Sequence, residues 1–409
     1  MTVITRERQT QAQRALVIVF LIQGFVSAAI IPRVPDIIRN IDVSFAHWGV
    51  ISAFGTVGSA VGLFVANRVI EQFGVKHVVM VAFGLVGLGN ASFGWLTDST
   101  LYIVINFGVS LTMSVLAIAI NSQAVVLQTL SGRVIIGRFH AAWSAGAASS
   151  AGISGFLAET LPVGFHLTLF SVTGLGAFYL VAQGLMNRDE GRLAEGISQD
   201  VSVGWRRMPK RVYLLGVGMA VGVFPEAAMW DWSSVYGREA LGFDPARAAI
   251  PYALFAIFMI IGRILIDVIG KRIHVSQQAA IGGIVAAIAL TVSNLVAPSL
   301  VAQNAVTGLV VVSALWALAG LGTASMSPSF FSSVAIVSGM SAAAALTRMS
   351  VMQTVLIVAM KFSMGNTAET GGIVTAYWFP VVTWILAAAI AFVVLGLTRR
   401  HHSDQVSSN

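Results

Sequence analysis

Long apolar runs recur at regular intervals along this sequence. An α-helix rises about 1.5 Å per residue, so crossing the hydrocarbon core of a bilayer takes about 20 apolar residues. The pattern predicts an all-α integral membrane protein with twelve transmembrane helices, six on each side of a polar stretch. These helices are predicted at 15–32, 46–67, 77–97, 100–127, 136–161, 164–186, 211–238, 246–270, 276–296, 302–335, 341–362 and 375–398.

The longest hydrophilic stretch runs from residue 187 to residue 210, close to the middle of the chain. It predicts a linker at 187–210 between two six-helix bundles, 1–186 and 211–409, related by pseudo-two-fold symmetry. The first apolar run, from Ala15 to Ile31, ends at Pro32 and Arg33 without a small-residue cleavage site. We therefore expect it to be retained as the first span.

Composition agrees with a membrane protein and narrows its chemistry. Charged residues make up 10% of the chain, against roughly 25% in soluble domains. The chain has no cysteine, and it has no phosphate-binding glycine loop and no HExxH motif. Ser and His occur together in the fifth helix, but no acid is placed to orient the histidine. We expect a protein that is not an enzyme and that has no cofactor and no metal.

Lysine and arginine are distributed unequally between alternate loops. Eighteen of them, Arg263 included, fall on the side of the N-terminus. Five fall on the other side, namely Arg33, Arg39, Arg238, Arg247 and Lys361, and Arg348 lies inside a span. Because cations resist translocation, both termini and the linker are predicted to be cytoplasmic. This distribution accounts for the net charge of +7 without a nucleic-acid partner.

A related motif follows the second helix of each half. The first half has NRVIEQFGVKH at 67–77, and the second has RILIDVIGKR at 263–272. Each contains an acid, two further residues, a glycine that allows a short turn and then a cation. The residues are Glu71, Gly74 and Lys76 in the first half and Asp267, Gly270 and Lys271 in the second. A turn with charged flanks is the alternative reading of either copy alone.

With this motif the chain resembles the major facilitator superfamily, whose loop between helices 2 and 3 has the pattern G-x-x-x-D-R-x-G-x-R-R. Glu71 stands for the acid, Gln72 for the first cation, and Lys76 and His77 for the basic pair, while Asn67 replaces the leading glycine. The segments RFHAAWSAGAASSAG and PEAAMWDWSSVYGREALG resemble the bacterial YbjJ-like branch, which is related to fucose-permease-type symporters. The resemblance covers essentially the whole chain and implies a transporter with a central cavity between helices 1, 4 and 5.

Polar side chains within the first six spans are either helix–helix hydrogen bonds or ligands of that cavity. Seven-residue spacing places three of them on one stripe of helix 4. The residues are Gln23 and Ser27 in helix 1, Ser114, Asn121 and Gln128 in helix 4, and His140, Trp143 and Ser144 in helix 5. Glycines at four-residue spacing, such as Gly58 with Gly62 and Gly218 with Gly222, predict close helix contacts that also suit rocking movements.

Helix 7 carries the strongest signal. Pro225 is expected to interrupt the helix beside Glu226, which lies about 22 Å from the helix start. Glu226 is interpreted as a proton-carrying group or as a hydrogen-bond acceptor for the substrate, with Asp231 near the hydrated outer rim. The alternative makes Glu226 half of a buried pair with Arg348, and the two interpretations are compatible.

Arg348 is predicted either to extend to the cytoplasmic interface or to bind an anionic group of the substrate. Other substrate-binding candidates in the second half are Trp230, Trp316, Ser327 and Gln353. Trp48, Trp232 and Trp378 are expected to be interfacial anchors, and Arg33 and Asp36 to be a surface pair.

These features predict a secondary transporter that moves a small, partly polar solute, sugar-like or an organic acid, by alternating access with proton coupling. A proton-coupled exporter of amphipathic compounds and a non-transporting receptor are the alternatives. The expected partners are a small-molecule substrate, protons and membrane lipids, with the protein a monomer.

Overall fold

The computed structural model describes residues 5–132, 135–187, 209–337 and 342–407. Within these residues the chain forms helices joined by turns, with no strand. The helices are α1 Arg6–Ala28, α2 Val34–Asn40, α3 Phe45–Phe73, α4 Val75–Phe93, α5 Ser99–Ser131, α6 Ile136–Leu157, α7 Val163–Ala182, α8 Lys210–Val235, α9 Pro245–Gly270, α10 Val275–Gln303, α11 Ala305–Thr323, α12 Met326–Val337, α13 Ala342–Gly371, α14 Ile373–Ala376 and α15 Trp378–Ser407. A 3₁₀ turn at Ile31–Arg33 precedes α2, and a π-helical turn at Tyr236–Ala240 extends α8.

Eleven stretches of the described chain are long and apolar enough to cross a membrane. They correspond to eleven of the twelve predicted spans. The exception is the fifth, α6, whose 22 residues are rich in Ala, Gly and Ser and include Arg138 and His140. The helix lies where the sequence predicted it, but its small and polar residues lower its apolar character. The protein is an all-α, multi-pass membrane protein.

The chain divides into two compact units. Unit 1 comprises Met1–Ser44 and Phe54–Gln199, and unit 2 comprises Phe45–Ala53 and Asp200–Asn409. The division passes through α3, whose first nine residues, Phe45–Ala53, cluster with unit 2. Most of the predicted linker lies outside the described residues, so its boundaries stay a prediction.

Local signals in the sequence explain several helix ends. Oδ1 of Asp98 accepts a hydrogen bond from the amide of Leu101 at 2.7 Å and so caps the start of α5. In the same way, Oδ1 of Asp244 accepts a hydrogen bond from the amide of Arg247 at 2.8 Å and caps the start of α9. Gly132 ends α5 at φ 62°, a conformation that disfavours side chains with a Cβ.

Glycines set the closest helix contacts of unit 1. A Cβ at Gly58 or Gly62 of α3 would clash with the carbonyl groups of Phe107 and Leu111 on α5, which confirms the predicted contact role of this pair. In the same way, a Cβ at Gly146 of α6 would clash with the backbone of α1. Apolar and aromatic side chains fill the contact between α4 and α7. The rings of Phe83 and Phe178 stack there, with their centroids 4.0 Å apart.

Unit 2 packs around α8, α10, α12 and α15. A Cβ at Gly218 of α8 would lie 2.5 Å from the ring of Phe330 and 2.8 Å from Ile390. Trp384 of α15 is fully buried and donates its indole N–H to Oγ1 of Thr323 at 3.1 Å. The second glycine pair thus also lies at a helix contact, and the buried indole of Trp384 has its donor satisfied inside the unit.

One charged pair differs from its prediction. Arg33 and Asp36 do pair, with Nε of Arg33 3.1 Å from Oδ2 of Asp36, but the arginine is not on the surface. Its side chain is 3% exposed and also donates to the carbonyl of Leu161 at 3.0 Å. The 3₁₀ turn at Ile31–Arg33 directs Arg33 inward, toward Leu161 just before α7, and helical periodicity does not reveal such a turn.

Candidate functional site

The helix α8 places two acids inside unit 2 without breaking. Pro225 lies within a continuous helix from Lys210 to Val235, so the predicted interruption is wrong. A proline in a helix removes one backbone hydrogen bond but does not have to end the helix when neighbouring helices support it. Glu226, the next residue, is therefore presented by regular helical backbone.

Glu226 pairs with an arginine of the neighbouring helix α9. The distance from Oε2 of Glu226 to Nη2 of Arg263 is 3.0 Å, and the two side chains are 20% and 44% exposed. The second oxygen, Oε1, is buried and accepts no hydrogen bond from the described part of the chain. Glu226 therefore has one oxygen held by a cation and one unsatisfied.

The partner of Glu226 is thus Arg263 and not Arg348. Arg348 lies near the start of α13 with only 5% of its surface exposed, so its side chain does not extend outward from the unit. The prediction also placed Arg263 among the loop cations. It lies seven residues before the end of α9, inside a candidate membrane span.

A second pair is formed by Asp231 of α8 and Lys361 of α13. Oδ2 of Asp231 lies 2.8 Å from Nζ of Lys361, and the side chains are 13% and 11% exposed. The expectation that Asp231 is hydrated at the outer rim is therefore wrong, and Lys361, which was counted among the cations of the outer side, lies inside the protein. The polar continuation SMGNTAETG looked like a loop, but it extends α13 to Gly371 and leaves Lys361 well inside the helix.

The segment Phe45–Ala53 forms hydrogen bonds with both residues of this second pair within unit 2. Lys361 donates to the carbonyl of Ser52 at 3.3 Å, and the indole N–H of Trp48 donates to the carbonyl of Asp231 at 3.3 Å. Trp48 and Trp232 are 5% and 0% exposed, so neither is the predicted interfacial anchor. Both indoles are buried near the Asp231–Lys361 pair, and the predicted anchor Trp378 is half-buried.

Tyr252 of α9 lies near both acids. Its side chain interacts electrostatically with Glu226 and with Asp231, and its ring meets that of Trp230 edge-on at 6.2 Å. Five positions separate the two acids along α8, and Tyr252 lies on the neighbouring helix within electrostatic range of both. Sequence reasoning missed Arg263, Lys361 and Tyr252; a cation with apolar residues on both sides, as in IIGRILI, was the available signal.

Trp316, a predicted substrate-binding candidate, makes its contacts within unit 2. Its indole N–H donates to Oγ of Ser293 at 3.2 Å, and its ring lies 5.8 Å from the rings of both Tyr236 and Tyr377. With 1% of its surface exposed, Trp316 packs within unit 2 rather than lining an open surface. The candidates Trp230, Ser327 and Gln353 are half-buried.

Unit 1 uses several of its predicted ligands in local contacts. Gln23 donates to the sulfur of Met113 at 3.1 Å, and Asn121 donates to the carbonyl of Ala117 at 2.8 Å. Gln128 accepts the amides of Ile135 and Ile136, at 3.0 and 3.3 Å, and so braces the turn before α6. Of the predicted stripe on helix 4, Ser114 and Asn121 are half-buried and stay predicted ligands.

The predicted ligands in the fifth span, α6 of the structure, are more accessible. His140 is exposed, with its ring 5.5 Å from that of Phe20, and Trp143 and Ser144 are half-buried. These three remain accessible candidates for substrate contact within unit 1.

The repeated acid–glycine–cation motif adopts different turns in the two units. Gly74 alone separates α3 from α4, at φ 80°, with Glu71 in the last turn of α3 and Lys76 in the first turn of α4. Gly270 is the last residue of α9, and four residues follow before α10. The glycine is thus required by the backbone in the first copy only. Asp267 lies inside α9, and Lys271 follows its end.

The family model described as Major Facilitator Superfamily matches residues 16–360 of the chain. The chain belongs to this superfamily. As a major facilitator transporter it is a transport protein and not an enzyme, which confirms that part of the sequence interpretation. The YbjJ-like branch stays a prediction.

Similar proteins agree with this membership. An uncharacterised MFS-type transporter of Yersinia pestis is 28% identical over 250 residues, which are 60% of this chain and 62% of that protein. The match thus spans about three fifths of that relative. Among solved structures, a nucleoside transporter has a TM-score of 0.72 at 13% identity, with 95% of this chain and 98% of the other covered. A D-xylose-proton symporter has a TM-score of 0.69 at 12% identity, with 93% of this chain and 97% of the other covered.

Proposed function

We propose that this protein is a proton-coupled secondary transporter that moves a small, partly polar solute across a bacterial inner membrane by alternating access. The observation that carries the proposal is the pair between Glu226 and Arg263, formed by two neighbouring membrane-spanning helices of unit 2. The unequal distribution of cations supports cytoplasmic termini.

An acid and a base inside membrane spans are expensive to maintain, so their presence favours a functional role. When Glu226 is ionised, its attraction to Arg263 compensates both charges. When Glu226 takes up a proton, that attraction is lost and Arg263 is left as a cation without its partner. Protonation therefore changes which contacts between α8 and α9 are favourable, as a coupling step requires.

The geometry supports exchange of the proton rather than permanent pairing. Arg263 is 44% exposed, so its side chain can leave the carboxylate without first emerging from a packed core. Oε1 of Glu226 has no hydrogen-bond partner in the described chain and is available to receive a proton. Tyr252 supplies a hydroxyl near both Glu226 and Asp231, so we propose that Asp231 takes part in the same proton path.

For the substrate we favour a neutral, hydroxyl-rich solute of sugar-like size over an organic acid. The solved relatives named above are called a nucleoside transporter and a D-xylose-proton symporter, both for hydroxyl-bearing solutes. Two cations inside the spans of unit 2, Arg263 and Lys361, are already paired with acids, and the buried Arg348 also interacts within the protein. A thermal-shift screen of the purified protein over sugars, nucleosides and organic acids tests this choice; stabilisation by organic acids alone would contradict it.

The substitution Glu226→Gln tests the function, because it keeps the shape of the side chain but removes its titration. In proteoliposomes loaded with a solute from the screen, we expect accumulation driven by a pH gradient to be lost while exchange of labelled for unlabelled solute continues. Glu239→Gln, an equal charge change at an exposed position of the following π-helical turn, should behave as the wild type. Gradient-driven accumulation that survives in Glu226→Gln would exclude the proposed coupling role.

A further inference from the structure

A pocket of about 420 Å³ opens on unit 1 between the first half of α1 and the beginning of α6. It is formed entirely by residues of unit 1 and is separate from the acids of unit 2. Polar and cationic side chains form one part of its wall, and aliphatic and aromatic side chains form the other. The lining residues are Thr10, Gln13, Arg14, Val17, Ile18, Ile135, Arg138 and Phe139.

Two arginines face this pocket without a protein partner. Arg14 and Arg138 are both exposed, and neither forms an ion pair or hydrogen bond with another residue in the described chain. The lining contains no acid. Three other arginines of unit 1 differ in this respect, since Arg8 donates to the carbonyls of Gly184 and Leu185, and Arg33 and Arg39 pair with Asp36. The pocket therefore concentrates uncompensated positive charge.

The arginines lie where the chain passes from polar to apolar sequence. Arg14 immediately precedes the apolar run that starts at Ala15, and Arg138 is the third residue of α6. This level along a membrane-spanning helix corresponds to the headgroup region of a leaflet. Val17 and Ile18 follow Arg14 into the apolar run, so the apolar wall begins where the hydrocarbon begins.

We propose that this pocket binds an anionic phospholipid of the leaflet, with its phosphodiester held by Arg14 and Arg138 and the first part of one acyl chain against Val17, Ile18 and Phe139. Guanidinium groups form short, charge-assisted and often bidentate hydrogen bonds with phosphate oxygens. A headgroup with net negative charge is favoured because a zwitterionic lipid would bring an ammonium group toward two arginines. Basic pockets between membrane helices have the right chemistry for such headgroups.

Native mass spectrometry of the full-length protein in detergent tests the proposal with dioleoyl phosphatidylglycerol. We expect the double variant R14Q/R138Q to bind this lipid at least about tenfold more weakly than the wild type, because two charge-assisted contacts are lost. The double variant R68Q/R272Q removes the same charge from two exposed arginines outside the pocket and should retain the affinity. Equal binding by both double variants would overturn the site.

Two further ligands separate a lipid from other phosphates. Dioleoyl phosphatidylcholine has the same chains without the net charge and should bind about as weakly to the wild type as to R14Q/R138Q. Glycerol phosphate has the anionic group without the chains and should compete only at far higher concentration. Competition by glycerol phosphate at the concentration of the lipid would overturn the lipid assignment and indicate a site for soluble anions.

A measurement on the wild type alone covers the case in which R14Q/R138Q does not fold. Phenylglyoxal modifies accessible guanidinium groups, and peptide mass spectrometry reports each arginine separately. In phosphatidylglycerol vesicles, we expect Arg14 and Arg138 to react several-fold more slowly than in phosphatidylcholine vesicles, with Arg68 as the reference. The same reduction at all three arginines, or no reduction at any, would contradict a specific site.

Discussion

The two units differ in where they place charge. In the described part of unit 1, the ion pairs are those of Asp36 with Arg33 and Arg39, in the short turn and helix that follow Pro32. In unit 2, Glu226–Arg263 and Asp231–Lys361 lie within membrane-spanning helices. Unit 1 instead relies on glycine contacts and amide-to-backbone hydrogen bonds. The comparison teaches that units of similar helical make-up can place their ion pairs differently, with those of unit 2 joining one long helix to another.

The largest stability effect is expected from breaking the second pair of unit 2. Lys361→Met leaves the mostly buried carboxylate of Asp231 without its cation, which costs about 3 kcal/mol of unfolding free energy. The added variant Asp231→Asn removes the stranded charge and should recover much of this loss. Unfolding of the purified protein in detergent, followed by circular dichroism, measures both.

Lys76→Met serves as the control, because Lys76 is half-buried and, in the described chain, donates to a backbone carbonyl, that of Gln183, and pairs with no acid. We expect its unfolding free energy to change little. If Lys361→Met were as stable as Lys76→Met, the charges of unit 2 would not be a structural distinction between the units.

The next effect concerns the packing of unit 1. Gly146→Ala adds a Cβ that would clash with the carbonyl of Leu21, so α6 must move away from α1 at a cost of about 2 kcal/mol. Gly152→Ala, in the same helix, meets no atom within 4 Å and should be neutral or slightly stabilising. Unfolding in detergent, followed by circular dichroism as above, compares Gly146→Ala with Gly152→Ala. Equal stabilities would show that close helix contact is not what supports unit 1.

The smallest effect compares one kind of hydrogen bond in the two units. Trp316→Phe removes the indole donor to Ser293 inside unit 2 and should cost about 1 kcal/mol. Trp95→Phe removes the indole donor to Thr168 in unit 1, but Trp95 is 53% exposed and Thr168 is accessible to other donors. We expect a smaller loss there. A larger loss of unfolding free energy in Trp95→Phe than in Trp316→Phe would contradict the proposed contrast between the two units.

Much of the fold follows from apolar periodicity. The helices, the membrane class, the glycine contacts at Gly58 and Gly62 and the turn at Gly74 were all predictable, because each depends on local sequence. The superfamily was also recognisable from the loop motif and the helix count. The sequence alone also singled out Glu226 and Asp231, since acids in apolar surroundings are conspicuous.

The partners of these acids were not predictable in the same way. Arg263 and Lys361 are 37 and 130 residues from their acids, and which helices become neighbours is decided by packing. Both cations fell inside the predicted spans 246–270 and 341–362, but they were counted with the cations outside the membrane because a charge within a span is unusual. The continuous passage of α8 through Pro225 likewise depends on support from neighbouring helices, which local propensity does not contain.

The central claim is that Glu226 carries the proton that drives transport, and proton movement itself tests it most directly. Proteoliposomes with a pH-sensitive dye in the lumen, at equal pH on both sides, receive a solute identified by the thermal-shift screen. We predict a solute-dependent pH change with the wild type and with Glu239→Gln, and none with Glu226→Gln, although Glu226→Gln still exchanges solute. A solute-dependent pH change of wild-type size in Glu226→Gln, or its absence in the wild type, would contradict the account.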